Sequence, residues 1–239
     1  MKSPAVTNGF LGGIGLTHLA VYEQRPAPDG MMSGCAHVHA ITDEAYYVIA
    51  GTGAIELNDL EQGFRLIPLE RGSYVQFPPD TLHRSISTGG LEVLALMSNA
   101  GLAERGDARI YFGRTIDDDP VEFARLVALP SAKGLDGALE RRDASVRAYL
   151  RLIELWRTDQ DAYRTELSRF IALHRSAVGA QRRLFEEIVG EGPGRWLRAT
   201  YDRLDAPIDG TSGLASQREI ETRLGMCGVL KPFHGLAPV

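Results

Sequence analysis

Between Leu16 and Ser98 the chain passes through seven short runs rich in aliphatic and aromatic residues: LTHLAVYEQ, EAYYVIAG, GAIELN, FRLIPLE, YVQFPP, LHRSIS and LEVLALMS. Gly, Pro, Asn or Asp separates them, so the first half reads as β-strands joined by turns. Many short strands at close spacing fold as a sandwich or a barrel. Several runs alternate, with Glu44, Tyr46 and Val48 on one face and Ala45, Tyr47 and Ile49 on the other, so one set can face an interior. At 239 residues with 44% hydrophobic content, the chain can bury the core of one large or two small domains.

The pattern changes at DDDPVEFARLVAL. Asp119, Pro120 and Glu122 read as an N-cap, a first-turn proline and a capping-box acid that open a helix; the alternative is a cation site made of Asp117, Asp118 and Asp119. From Asp143 onward the spacing is helical. Val146, Tyr149, Leu150, Ile153 and Trp156 form one stripe, and Tyr163, Leu167, Phe170, Ile171 and His174 another. The segments LFEEIVG and RWLRATYDRL continue this helical half. Beyond Ala206 the Gly- and Pro-rich tail reads as irregular. The glycines of NGFLGGIG do not follow a strand and open a helix, so they are read as a bend that lets the N-terminal segment reach the barrel. A β domain over residues 1–114 and an α-helical extension over 115–239 are expected.

The net charge of −5 supplies no overall basic field for nucleic acid or anionic lipid. Two cysteines, Cys35 and Cys227, make neither a disulfide framework nor a CxxC pair. With no apolar stretch of signal or membrane-span length, a cytoplasmic protein is expected.

The residues that carry chemistry lie in CAHVHAITDEAYYVIAGTG and RGSYVQFPPDTLHRSIS. His37 and His39 are two apart and so point to one side of a strand, from where both imidazoles can reach one ion. Glu44 follows after a four-residue turn and adds an oxygen ligand with charge to offset a divalent cation. His83 is the fourth candidate, at the start of the strand that returns after a Pro78-Pro79-Asp80 turn. The bland reading of a lone His-x-His is a polar strand face, but the glutamate and the distant histidine set this pair apart.

These two stretches resemble the two motifs of the cupin superfamily. The first is matched by His37, His39, Glu44 and Gly51, with Met31 where the leading glycine usually stands; the second is matched by Gly72, Pro78 and His83, with Asp80 for the usual Gly and Ser87 for the usual Asn. The resemblance implies a double-stranded β-helix (jelly-roll) barrel over roughly residues 10–114, mainly β in character and followed by the helical region. It also implies that His37, His39, Glu44 and His83 bind one divalent metal: iron, or else manganese, nickel, cobalt or zinc. A cupin that kept the fold and lost the metal is the alternative.

Around this site Tyr46 shares the Glu44 face and is a candidate general acid or substrate hydrogen-bond donor, or simply a core aromatic. Ser85 and Ser87 are candidates to orient a ligand histidine. Arg65, Gln76 and Arg84 are candidates for an anionic substrate group. Cys35 reads as a small buried hydrophobe or a pocket residue, and His174 as a hydrogen-bonded core residue rather than a fifth ligand. His18 and His234 have no assignment. The expected activity is that of a mononuclear non-haem iron oxygenase or dioxygenase, an oxidoreductase acting on a small molecule. The alternatives are a metal-dependent isomerase or lyase acting on a hydroxycarbonyl compound, and a non-catalytic small-molecule sensor. No recognition helix is evident after residue 143, which together with the acidic charge disfavours a DNA-bound sensor. A homodimer is expected.

Overall fold

The computed structural model describes residues 11–128, 133–205, 215–216, 222–232 and 237–238. The first half contains strands β1 (Gly15–Val21), β2 (Met32–Ser33), β3 (His37–His39), β4 (Glu44–Asp59), β5 (Gly63–Glu70), β6 (Tyr74–Phe77), β7 (Leu82–Met97) and β8 (Ala108–Ile110). Six helices follow: α1 (Arg114–Asp117), α2 (Pro120–Val127), α3 (Gly134–Thr158), α4 (Gln160–Gly179), α5 (Arg182–Glu191) and α6 (Pro193–Asp205). Strands β9 (Ala215–Ser216), β10 (Arg223–Leu224), β11 (Gly228–Pro232) and β12 (Ala237–Pro238) close the chain.

Two long strands organise the barrel. β4 and β7, each of 16 residues, pair antiparallel from Glu44↔Met97 to Asn58↔Leu82, with the register interrupted between Val48 and Gly53. On one side of that interruption they lie in the layer β11-β1-β7-β4-β6, and on the other in the layer β8-β3-β7-β4-β5. The bend is possible because glycines meet there. Gly51 has φ 72°, and a Cβ on it would lie 2.0 Å from the Gly90 carbonyl oxygen. Side chains from both layers form one interior cluster, with Leu19, Tyr46, Val48 and Val93 from the first and Ile55, Leu57 and Leu69 from the second. Alternation decides which side chains enter it: Tyr46 and Val48 are buried, whereas Tyr47 between them is 45% exposed. This is the cupin-type double-layered barrel expected from the motifs, with a helical region after it.

The helices cover the outside of the second layer. Tyr149, Leu152 and Ile153 of α3 and Tyr163, Leu167, Phe170 and Ile171 of α4 pack with Val38, Leu82 and Tyr111. Asn58 is fully buried at this seam: its Nδ2 donates to the Tyr149 hydroxyl (2.8 Å) and its Oδ1 accepts from the Tyr163 hydroxyl (3.1 Å), so one strand amide ties down both helices. Helix α3 begins at Gly134, nine residues before the expected Asp143, because Gly134 and Gly137 obscure its helical spacing. Within the expected stripe Leu150 is exposed and Leu152 takes the buried place.

Asp119 caps α2 as expected, accepting from the N–H groups of Val121 and Glu122, while Glu122 itself pairs with Arg125 instead of returning to the cap. Asp118 pairs with Arg169. Asp117 is buried, with Oδ1 accepting from Phe112 N–H and Oδ2 without a hydrogen bond but 3.6 Å from Arg169 Nη2, and burial raises its carboxyl to about 7. A raised native pKa means that the folded chain holds this proton where the unfolded chain has lost it. Its contribution to stability therefore falls as pH rises from about 4 to 7. Asp117→Asn is expected to remove that slope and to gain about 1–3 kcal/mol over the parent above pH 7. Urea midpoints of both proteins at pH 5 and pH 8 check this; an equal difference at both pH values contradicts it.

The tail is the main departure from the sequence reading. Instead of being irregular throughout, it returns at residues 223–232, where β11 pairs along β1 from Thr17↔Pro232 to Val21↔Gly228 and β10 pairs with β11. Glycine permits the approach, since a Cβ on Gly228 would lie 2.0 Å from the Ala20 carbonyl oxygen. Among the described residues no helix is long and apolar enough to cross a membrane.

Candidate metal centre

Strand pairing brings the four predicted ligands together. His37 lies directly opposite His83 across β3 and β7, His39 follows on the same face of β3, and Glu44 opens β4 in the facing layer. One ligand atom from each of His37, His39, Glu44 and His83 lies within 4.8 Å of the others, and all four residues are buried. The motif turns hold this arrangement. Gly72 sits at φ 89°, and Asp80, at φ 63°, is the only non-glycine residue with positive φ among the described residues. Asp80 thus adopts the conformation for which a glycine is the usual choice, and its N–H donates to the His39 carbonyl at 2.7 Å. Its carboxylate pairs with Arg175 of α4.

The hydrogen bonds of the imidazoles fix which nitrogen faces the centre. Each Nδ1 meets an acceptor: the Cys35 carbonyl for His37 (3.2 Å), the Asp107 carboxylate for His39 (3.1 Å) and the Thr81 carbonyl for His83 (3.0 Å). An acceptor at Nδ1 requires the proton there, which leaves each neutral ring with its Nε2 lone pair directed inward. Glu44 Oε2 lies 3.1 Å from His83 Nε2 and 3.4 Å from His39 Nε2, yet these three buried atoms make no hydrogen bond of acceptable geometry. Buried polar atoms facing one another without hydrogen bonds are what a cation would satisfy, so the donor set fits a divalent metal.

The electrostatics follow from this crowding. Burial holds the His37 imidazolium pKa well below the usual value, reinforced by His83 and His39. For His39 burial acts in the same direction, but Asp107 and Glu44 outweigh it and raise the value to about 10. Burial opposes ionisation of Glu44, and the surrounding His83 and His39 nonetheless hold its carboxyl well below the usual range. A cation would take the place of the proton that His39 holds in its absence.

Two contributors were missed in the sequence. Asp107, fully buried in the turn before β8, bonds His39 through Oδ2, while its Oδ1 accepts from Ala40 N–H (3.1 Å) and Ile41 N–H (2.8 Å). Asp107→Ala is expected to lower metal affinity about 10- to 100-fold without changing stoichiometry. Competition against a coloured chelator measures this, and unchanged affinity would remove Asp107 from that role. Cys227, just before β11, places its Sγ 3.5 Å from His37 Nε2. No spacing signal connects either residue to the motifs.

Tyr46 is fully buried, its ring edge-on to Phe77 and its hydroxyl 3.4 Å from Ser85 Oγ and 4.0 Å from Cys227 Sγ; it does not line the cavity beside the ligands. Ser87 bonds Glu23 and accepts from Leu91 N–H, so the ligand histidines are oriented by Cys35, Thr81 and Asp107 rather than by Ser85 and Ser87. Arg84 points away, pairing with Glu56 and Asp29 (2.7 Å each); Arg65 pairs with Asp59, and Gln76 accepts from the Tyr74 hydroxyl. Cys35 packs with Ile110 and Phe112. His174 is a buried, hydrogen-bonded residue whose Nε2 donates to the Asp107 carbonyl at 2.6 Å. His18 bonds Glu92, and His234 lies outside the described residues.

His37, His39 and Glu44 line a cavity of about 510 Å³ between the barrel, α2–α4 and the returning tail. Its walls are mostly apolar, including Leu19, Met97, Ile110, Phe123 and Leu230; besides the ligands, Glu104, Gln181, Arg109, Arg141 and Arg223 bring polar or charged groups to it. A second cavity, of about 530 Å³, lies outside the barrel between the start of α1, α3 and α4 and contains none of these ligands.

Strand order, the shared bent strands and the His37–His39–Glu44–His83 quartet define the fold as that of a cupin with a metal-type donor set. No protein-family model matches the chain. It is 41% identical over 56 residues to a glucose-6-phosphate isomerase from Thermococcus gammatolerans, a segment covering 23% of this chain and 30% of that enzyme. The corresponding enzyme from Thermococcus onnurineus is 40% identical over 55 residues, 22% of this chain and 29% of its own. The matches thus span less than a third of those relatives. Similar solved structures include a cupin protein from Bacteroides fragilis (22% identity, TM-score 0.28, 37% of this chain and 68% of that one). Two others are a cupin-2 domain protein from Shewanella frigidimarina (20%, TM-score 0.29, 40% and 78%) and a sugar 3,4-ketoisomerase from Thermoanaerobacterium thermosaccharolyticum (14%, TM-score 0.33, 39% and 64%).

Proposed function

We propose that the chain is a metal-dependent enzyme acting on a small organic molecule held at His37, His39, Glu44 and His83. The observation that carries this reading is the donor set: three Nε2 atoms with their Nδ1 positions committed to acceptors, and a carboxylate oxygen, gathered beside a 510 Å³ cavity. Three neutral imidazoles and one carboxylate would hold a divalent ion with a net charge of +1, able to bind and polarise an anionic or hydroxycarbonyl substrate. Iron(II) there would supply redox chemistry with dioxygen, whereas manganese, nickel, cobalt or zinc would supply Lewis acidity toward a hydroxycarbonyl compound.

The protein's own part is to hold the ligands in one tautomer, exclude water and select the substrate's body. Leu19, Met97, Ile110 and Phe123 favour an apolar or aromatic body over a polyhydroxylated one, which supports the oxygenase reading with an enolisable or catecholic substrate. The isomerase or lyase reading is favoured by a different observation, the 41% identity over 56 residues to a glucose-6-phosphate isomerase. Oxygen uptake by iron-loaded protein with a panel of enolisable and catecholic compounds separates them. Substrate-dependent uptake above that of free iron supports the first. Isomer or elimination product without uptake supports the second, and turnover of neither class with any of the five metals contradicts the enzyme reading.

A further inference from the structure

We infer that Arg141 makes the cavity a receptor for an anion: a small carboxylate with an apolar body, bound with its charged end at the guanidinium. The inference deepens the metal-dependent reading, on which it rests for the second anchor of the same molecule.

Arg141 lies on α3, is 8% exposed and lines the cavity together with His37, His39 and Glu44. Its Nη1 donates to the Val127 carbonyl (3.0 Å) and its Nη2 to the Gly225 carbonyl (2.9 Å), the Cys35 thiol lies beside the guanidinium, and its Nε is buried without a hydrogen-bond partner. Gly225 stands two residues before Cys227, whose Sγ is 3.5 Å from His37 Nε2, so the guanidinium is tethered to the turn that abuts the metal ligands.

The missing counter-charge points to a ligand. Among the described residues no carboxylate forms an ion pair with Arg141, although the other deeply buried arginines have theirs: Arg142 pairs with Asp143 and Arg84 with Glu56 and Asp29. Arg109, on the same cavity, stacks on Phe123 at 3.7 Å and donates to the Asp117 carbonyl. A buried cation without an anion is costly to keep, and a guanidinium with free donor capacity matches the fork of a carboxylate. Apolar walls around that charge select an apolar body over a hydrophilic one.

Calorimetric titration of metal-free and cobalt-loaded protein with benzoate, and with its neutral isostere benzamide, tests the inference. Benzoate is expected to bind at least about 10-fold more tightly than benzamide, and Arg141→Met to weaken benzoate about 10- to 100-fold while leaving benzamide affinity and metal stoichiometry unchanged. Equal affinities in the parent, no benzoate binding at ~10 mM, or unchanged benzoate binding in the variant would overturn it. Should Arg141→Met fail to fold for want of the two carbonyl contacts, the benzoate-to-benzamide ratio of the metal-free parent still decides, with Arg141→Lys expected to retain part of the preference. The two readings fail separately. Selectivity for benzoate in a chain that takes up no metal would sink the metal reading alone, and metal uptake without selectivity would sink the role of Arg141 alone.

Discussion

Replacing His83 with alanine is expected to weaken divalent-metal binding at least about 100-fold, more than any change outside the quartet. His83 faces His37 across the strand pair and contributes one of the three inward Nε2 atoms, so its loss leaves two imidazoles and Glu44 with an incomplete shell. His83 also packs on Phe77, with ring centroids 4.6 Å apart, so the variant loses some packing as well. Metal stoichiometry should therefore be measured below the melting temperature of the variant. A folded His83→Ala protein with undiminished metal affinity would show that the site is elsewhere.

The second large effect concerns the fold. Gly51→Ala is expected to destabilise the protein by roughly 3 kcal/mol or more, because two costs coincide. The residue has φ 72°, where a side chain is strained, and the new Cβ would lie 2.0 Å from the Gly90 carbonyl oxygen, which belongs to backbone and cannot swing aside. Gly90→Ala is the control. It shares the positive φ, at 62°, but a Cβ there meets nothing within 4 Å, so it should cost only about 1 kcal/mol. Chemical denaturation of both variants measures the difference. Equal losses would mean that the bend of β4 and β7 does not depend on close backbone approach at this corner.

Much of this molecule was legible because its key residues obey short-range rules. Strand runs such as EAYYVIAG and LEVLALMS reveal themselves by composition and alternation, and the motif glycines Gly51 and Gly72 stand where the backbone needs positive φ. His37, His39, Glu44 and His83 were identifiable because a two-residue spacing and a motif turn leave a pattern in the sequence. Arg84, a candidate for an anionic substrate group, instead turns to the opposite face from His83, where it pairs with Glu56 and Asp29.

What the sequence hid is non-local. Asp107 orients His39 only because β8 pairs with β3, and Cys227 reaches His37 only because β11 pairs with β1, across 190 residues of chain. The sequence near them gives no periodic signal. Strand β11 is five residues long in a Gly- and Pro-rich tail, so its edge pairing rather than its composition makes it a strand. Arg141 lies before Asp143, where the readable helical spacing begins, and carries no signal of its own. Its burial follows from the position of α3 against the returning tail, which local spacing does not encode.

Elemental analysis tests the central claim most directly: the metal content per chain of parent and His83→Ala proteins, each stripped with chelator, reconstituted with iron, manganese, cobalt, nickel or zinc, and desalted. The expected result is about one divalent ion per chain in the parent with at least one of these metals, and loss of that ion in the variant. A parent protein that retains none of the five, or a variant that retains as much as the parent, would contradict the assignment of His37, His39, Glu44 and His83 as a metal centre.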